Sequence, residues 1–182
     1  QKNDLMTIHI RPEIEALKDT IISTRRDIHQ HPELAFDEHR TSKLVAERLE
    51  SLGIEVQTGV GKTGVVGTLR GKGDDNIIAL RADMDALPIQ ETSDISYKSK
   101  NAGIMHACGH DGHTAVLLGT AEALSKQAEK LNGTVKFFFQ PAEEGQGGAR
   151  FMIEDGALEG VDQAYGIHLW NYQKYGTVGV KP

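Results

Sequence analysis

Cysteine is almost absent from this chain of 182 residues: Cys108 is the only one. One thiol cannot close an intramolecular disulfide, so the count gives no sign of a secreted, cross-linked scaffold. Long apolar runs are missing too. The longest candidate, Ala115 to Leu124, is short for a membrane span and is interrupted by Glu122. Residues Gln1 to Arg11 lack the charged start and apolar stretch of a signal peptide or anchor. A cytoplasmic protein with no membrane contact is the expectation. No basic stripe is present either. The net charge is −6, with acids and bases interspersed, which argues against a nucleic-acid partner. The apolar share of 38% is below the usual globular value, and the 20 glycines partly account for it. The length suffices for one domain with a sizeable core.

The chemistry that is present is concentrated. Met105-His106-Ala107-Cys108-Gly109-His110-Asp111-Gly112-His113 holds three histidines, an aspartate and the lone cysteine. Each of those side chains can bind a borderline metal such as zinc. Glycines at 109 and 112 allow a tight turn around an ion. Further on, Gln140-Pro141-Ala142-Glu143-Glu144-Gly145 sets two adjacent carboxylates just past an apolar run. Together the stretches read as a metal-assisted hydrolase site, one carboxylate holding metal and one moving a proton.

Periodicity places these motifs. Ile14, Leu17, Ile21, Ile22 and Ile28 recur at helical spacing after Pro12, and the helix should stop near His31-Pro32. Asp37 to Leu52 reads as a second amphipathic helix, ended by Gly53. Ile54 to Thr58, Gly64 to Arg70 and Ile77 to Arg81 read as strands, the last two forming a hairpin across the turn 71–75. Ala82 to Ile104 has no period and reads as a long loop of the kind that is often functional. A helix follows from about His110 to Leu131, with Gly133 ending it. A buried strand spans Thr134 to Phe139, a short helix Gly147 to Asp155 and a last strand Gln163 to Leu169. The expected fold is α/β, a mixed β-sheet flanked by helices, with a tail over 1–12 and one domain over 13–182. Asp83, Asp85, Cys108, His110, Glu143, Glu144 and His168 then fall at or beyond strand ends or before a helix. In open α/β sheets that edge binds ligands.

Each candidate has a bland alternative. Cys108 could be a small buried hydrophobe, a metal ligand or a nucleophilic thiol beside a histidine. His110 and His113 lie one helical turn apart and could face one ion, or His113 could hydrogen-bond a ligand or cap the helix. The acids at 143 and 144 could be a solvated helix start, although the strand Phe137-Phe138-Phe139 draws them toward the core. Asp83 and Asp85 could line a polar loop or orient a ligand histidine. His168 could be a satisfied core histidine, and His106 could line the site or the surface. His9, His29, His31 and His39 fall on the tail or on polar helix ends and rank low.

Four motifs, in order, resemble one family. They are Arg81-Ala82-Asp83-Met84-Asp85-Ala86-Leu87-Pro88, His106 to His113, Gln140 to Gly145 and Gly166-Ile167-His168-Leu169. His29-Gln30-His31-Pro32-Glu33-Leu34 matches the same family's amino-terminal pattern. It is the family of metal-dependent amidohydrolases that cleave N-acyl amino acids, including hippurate hydrolases, aminoacylases and auxin-conjugate hydrolases. The resemblance implies a di-metal, aminopeptidase-like catalytic domain. Cys108, His110, Glu144 and His168 would be ligands of two divalent ions, zinc or manganese above all, with cobalt or nickel as alternatives. Glu143 would be the general base acting on a metal-activated water. Asp83, Asp85 and His113 would support the ligands from behind. Where the wider superfamily has a ligand histidine two residues before Asp85, this chain has Asp83. The implied substrate is a small N-acyl amino acid, and full-length relatives would be homodimers. By this resemblance the sequence corresponds to the front half of such an enzyme, its lid domain absent, together with the last histidine ligand.

Overall fold

The computed structural model describes residues 9–179. Most of the expected tail lies outside them, and Pro12 already opens the first helix. That helix, α1 (Pro12–Glu15), is brief, and α2 (Lys18–Gln30) follows it. The sequence pattern reads as one helix through both. At the join the Leu17 N–H reaches back only three residues to the Ile14 carbonyl, while the Leu17 side chain is buried. Such a tightened turn interrupts the helical bonding. Helix α3 (His39–Ser51) comes next, then β1 (Glu55–Val60), β2 (Gly64–Arg70) and β3 (Lys72–Asp83). After the long loop come α4 (His110–Ser125), a 3-10 turn at Ala128–Lys130, β4 (Asn132–Gln140), α5 (Gly148–Glu154) and β5 (Gln163–Gly166). Gly133 lies inside β4 rather than ending α4, and β5 stops two residues before His168.

The five strands form one mixed sheet in the order β1-β2-β4-β3-β5. The expected β2–β3 hairpin is not there. Strand β4 inserts between its two halves, antiparallel to β2 and parallel to β3. The cause lies in the aromatic run. Phe137 and Phe139 are buried on one face of the sheet and Phe138 on the other, and a strand apolar on both faces is stable only in the interior of a covered sheet. The intended turn pairs with β4 instead, Gly71 N–H bonding the Gly133 carbonyl and Lys72 N–H the Leu131 carbonyl. Mostly exposed β1 takes one edge.

Phe137, Phe139, Val65, Leu69 and Met84 meet Val45 and Leu49 of α3 and Leu117, Leu118 and Ala121 of α4 in the larger core. On the opposite face Phe138, Val66 and Ala79 meet Met152 of α5 and Ala157. Three layers result, as the mixed-sheet reading requires. Among the described residues no helix is long and apolar enough to cross a membrane.

Candidate metal centre

Strands β3, β4 and β5 are parallel neighbours, so their carboxyl ends open on one edge of the sheet. Asp83 closes β3 and Asp85 follows it, Glu143 and Glu144 follow β4, and His168 follows β5. Cys108 and His110 come to the same edge from the start of α4. Gly109, which precedes that helix, sits at φ 84, and a Cβ there would lie 3.1 Å from Leu169 Cδ1, so glycine suits both the turn and the approach.

The predicted residues converge. Cys108 Sγ lies 3.4 Å from His168 Nε2. His110 Nε2 lies 3.9 Å from Glu143 Oε2 and 3.9 Å from Glu144 Oε1. Donor atoms of Cys108, His110 and His168 all lie within 4.8 Å of one another, and so do those of His110, Glu143 and Glu144. A third set, Asp83, His110 and His113, meets the same test. His110 belongs to all three.

His110 is wholly buried, and its orientation is fixed from behind. Nδ1 donates to the Asp85 carbonyl at 2.8 Å and lies 3.2 Å from Asp85 Oδ1. A carbonyl only accepts, so Nδ1 carries the hydrogen. Burial opposes the charged ring, but the bond to Asp85 and the Asp83 charge outweigh it and raise the pKa, and in its neutral form Nε2 presents a lone pair to the cluster. Nε2 has no hydrogen-bond partner among the described residues. A buried polar atom left so costs about 1–3 kcal/mol. A thiol, a second imidazole and two carboxylates around that lone pair are donors that fit borderline divalent ions.

Asp85 serves twice, since its Oδ2 accepts the Glu144 N–H at 2.9 Å. Burial opposes its charge, but bonds from His110 and from the Glu144 and Glu143 backbone outweigh it, leaving its pKa below the ordinary value. Cys108 behaves oppositely. Burial, with Glu144, Glu143 and Asp83 nearby, pushes its thiol up to about 12. Reactive cysteines need depressed values, so the nucleophile reading of Cys108 loses ground. A cation would neutralise the same carboxylates and favour thiolate ligation.

His113 also bonds the segment after β5. Its Nε2 accepts the Leu169 N–H at 2.9 Å, so the hydrogen sits on Nδ1, which faces Asp83 Oδ2 at 3.8 Å. Asp83 in turn pairs with Arg81. This chain of contacts holds the segment that carries His168. His168 itself is exposed, its ring 4.5 Å from that of His113 between centroids. Of the two glutamates, Glu143 is the more open, with 38% of its side chain exposed against 27% for Glu144. His106 is buried with both ring nitrogens unpartnered among the described residues, and burial lowers its pKa to about 4.

Two groups escaped sequence reasoning. His29, ranked low there, is buried. Its Nδ1 lies 2.9 Å from Asp111 Oδ2 and its Nε2 3.2 Å from Glu91 Oε1. Arg25 Nε also donates to Asp111 Oδ2, at 2.9 Å. The available signal was the spacing of Arg25 and His29, four apart on α2, opposite an aspartate buried within the histidine motif. Glu38 is also fully buried, with no ion pair to it among the described residues. His31 bonds the Asp27 carbonyl, and His39 and His9 are exposed.

The His29 cluster has a signed pH dependence. The Asp111 hydrogen bond, opposed by burial and aided by Glu91, raises the His29 pKa above 6.5. A raised pKa stabilises fully below the unfolded value, and that share is lost as pH rises through the folded one. Urea unfolding of metal-free protein should therefore show a stability fall from pH 6 to pH 9 that shrinks in His29→Gln. An equal fall in both proteins would refute it.

Known proteins resemble this chain in sequence and fold. The sequence profile of peptidase family M20/M25/M40 matches residues 79–182. Thermostable carboxypeptidase 2 of Saccharolobus solfataricus is 53% identical over 163 residues, 88% of this chain and 42% of the relative. Hippurate hydrolase of Campylobacter jejuni is 49% identical over 170 residues, 93% of this chain and 44% of the relative. A Bacillus subtilis crystal structure described as a dinuclear metal binding peptidase from the M20 family superposes with a TM-score of 0.87 at 47% identity, covering 92% of this chain and 47% of its own. The chain thus spans less than half the length of the curated relatives it matches. With more than half of its residues under the family profile and its donor side chains gathered at one sheet edge, the chain belongs to peptidase family M20/M25/M40.

Proposed function

We propose that this chain carries the catalytic centre for metal-dependent hydrolysis of the amide bond in N-acyl amino acids. One observation supports this most: the buried His110 Nε2, with no hydrogen-bond partner among the described residues, faces Cys108, His168, Glu143 and Glu144. Cys108, His110, Glu144 and His168 hold two divalent ions, zinc or manganese ahead of cobalt or nickel. Such ions supply Lewis acidity, which acidifies water and polarises an acyl carbonyl. Glu143, the more open carboxylate, takes a proton from the attacking water and delivers it to the leaving amine nitrogen. Asp85 fixes the His110 tautomer and the Glu144 amide, and Asp83 with His113 steadies the His168 segment. The substrate class fits the relatives' names. A carboxypeptidase and a hippurate hydrolase both cleave an amide whose nitrogen belongs to an amino acid with a free carboxylate.

A second reading is a metal-binding portion without turnover of its own, favoured by the share of the relatives that the chain spans. Metal content per chain, with hydrolysis of an N-acetyl and an N-benzoyl amino acid before and after chelation, separates the two. Stoichiometric metal with chelator-sensitive turnover is expected from the first. Metal without turnover selects the second, and no metal would sink both.

A further inference from the structure

Glu38 is a fully buried carboxylate 104 residues away in sequence from the backbone it touches. It stands at the start of α3, where its side chain makes no cap hydrogen bond to the helix. Its Oε1 accepts the Ala142 N–H at 2.8 Å, and its Oε2 accepts the Thr63 hydroxyl at 2.5 Å. Burying a carboxylate without a cation is costly, and an apolar side chain would fill the space more cheaply. The bonds it makes give the reason for it.

The segment it holds is the one that presents the glutamates. Pro141 has no N–H, so Ala142 offers the first donor after β4. Ala142 is buried and sits at φ 51, in the left-handed region that alanine avoids. A conformation of this kind persists only where surrounding bonds enforce it. Here the Ala142 N–H is held by Glu38, and its carbonyl accepts the Gly148 N–H at 3.0 Å. Gly148 can come this close because a Cβ there would lie 1.8 Å from the Pro141 oxygen. Two residues on, the Glu144 N–H is held by Asp85. Glu143 therefore sits between two amides, each anchored by a buried carboxylate.

We propose that Glu38 is a positioning residue for the Glu143–Glu144 turn, acting through the Ala142 amide and itself aimed by the Thr63 hydroxyl. The inference rests on the reading of Glu143 as base and Glu144 as ligand. It holds for the ionised form and for the acid protonated on Oε2, which then donates to Thr63, because Oε1 accepts from Ala142 in both.

The test compares Glu38→Met, which keeps the length and loses the acceptor, with Glu38→Gln, whose amide oxygen still accepts from Ala142. Amide exchange at Ala142 and Glu144 is followed by NMR in metal-free protein. Cobalt(II) affinity and its visible spectrum are measured on the loaded protein. In Glu38→Met both amides should exchange at least ~10-fold faster and cobalt affinity should fall ~10–100-fold, the range typical of groups that orient metal ligands. The β4 amides should keep their protection, and Glu38→Gln should restore both readouts. Unchanged Glu144 exchange and cobalt spectrum in Glu38→Met, or equal damage in Glu38→Gln, would overturn the proposal. Should Glu38→Met not fold, Thr63→Val replaces it, with the same shifts expected and the same null result decisive. A wild-type protein that takes up no cobalt would refute the metal centre alone, and Glu144 exchange would still decide the role of Glu38.

Discussion

Replacing Glu143 by glutamine should lower turnover of an N-acyl amino acid by ~10²–10⁴-fold, the range for removal of a general acid–base group. Metal stoichiometry should stay unchanged. Glutamine keeps the size and a carbonyl oxygen but accepts no proton, so the attacking water keeps its own and the amine leaves unprotonated. The assignment depends on exposure. Glu143 and Glu144 lie equally far from His110 Nε2, and only the greater openness of Glu143 sets it toward substrate. The mirror variant Glu144→Gln should weaken metal binding instead. Kinetics with metal analysis on both variants reads the split. A Glu143→Gln protein that loses its metal while Glu144→Gln keeps it would reverse the two roles.

His110→Ala should abolish stoichiometric metal uptake, because His110 is the one donor common to all three ligand groupings. Stability gives an independent readout. An ion that binds only the folded chain stabilises it by about 4 kcal/mol at a thousand times its dissociation constant. Urea unfolding with and without such an excess should show that gain in the wild type and none in His110→Ala. In metal-free protein the substitution removes a ring whose Nε2 has no partner among the described residues, at the expense of the Nδ1 bond to Asp85 and a cavity. A variant still stabilised by the ion would show that binding does not centre on His110.

The strands and helices were legible wherever the signal was local. The apolar runs around β2, β3 and β4 and the glycines that bound them marked existence and type, with ends displaced by a few residues. Strand partnership was not local. Nothing in Gly64–Arg70 or the β3 run says that β4 will lie between them, and the short glycine-rich turn argued for direct pairing. The doubly buried aromatic run at 137–139 carried the contrary information, as a demand for neighbours on both sides. The site was legible as residue types, because a cysteine, three histidines and two acids in short motifs have little structural use. Which nitrogen of His113 is free was not legible, since it depends on the Leu169 amide, supplied after β5. His29 and Glu38 stayed hidden because each draws its meaning from a partner far along the chain, Asp111 for one and the Ala142 amide for the other.

The insertion of β4 between β2 and β3 also orders events in time. As the chain emerges from a ribosome, β2 and β3 are complete while the space between them is empty, so each presents an open edge until α4 and β4 have been made. Pairings across such separations form slowly and leave nascent chains prone to stick to one another. Before β4 arrives, Glu143 and Glu144 do not exist as neighbours of His110, and the histidine motif alone would meet cations without its carboxylates. The candidate centre is thus complete only once β4 has been placed between its two neighbours.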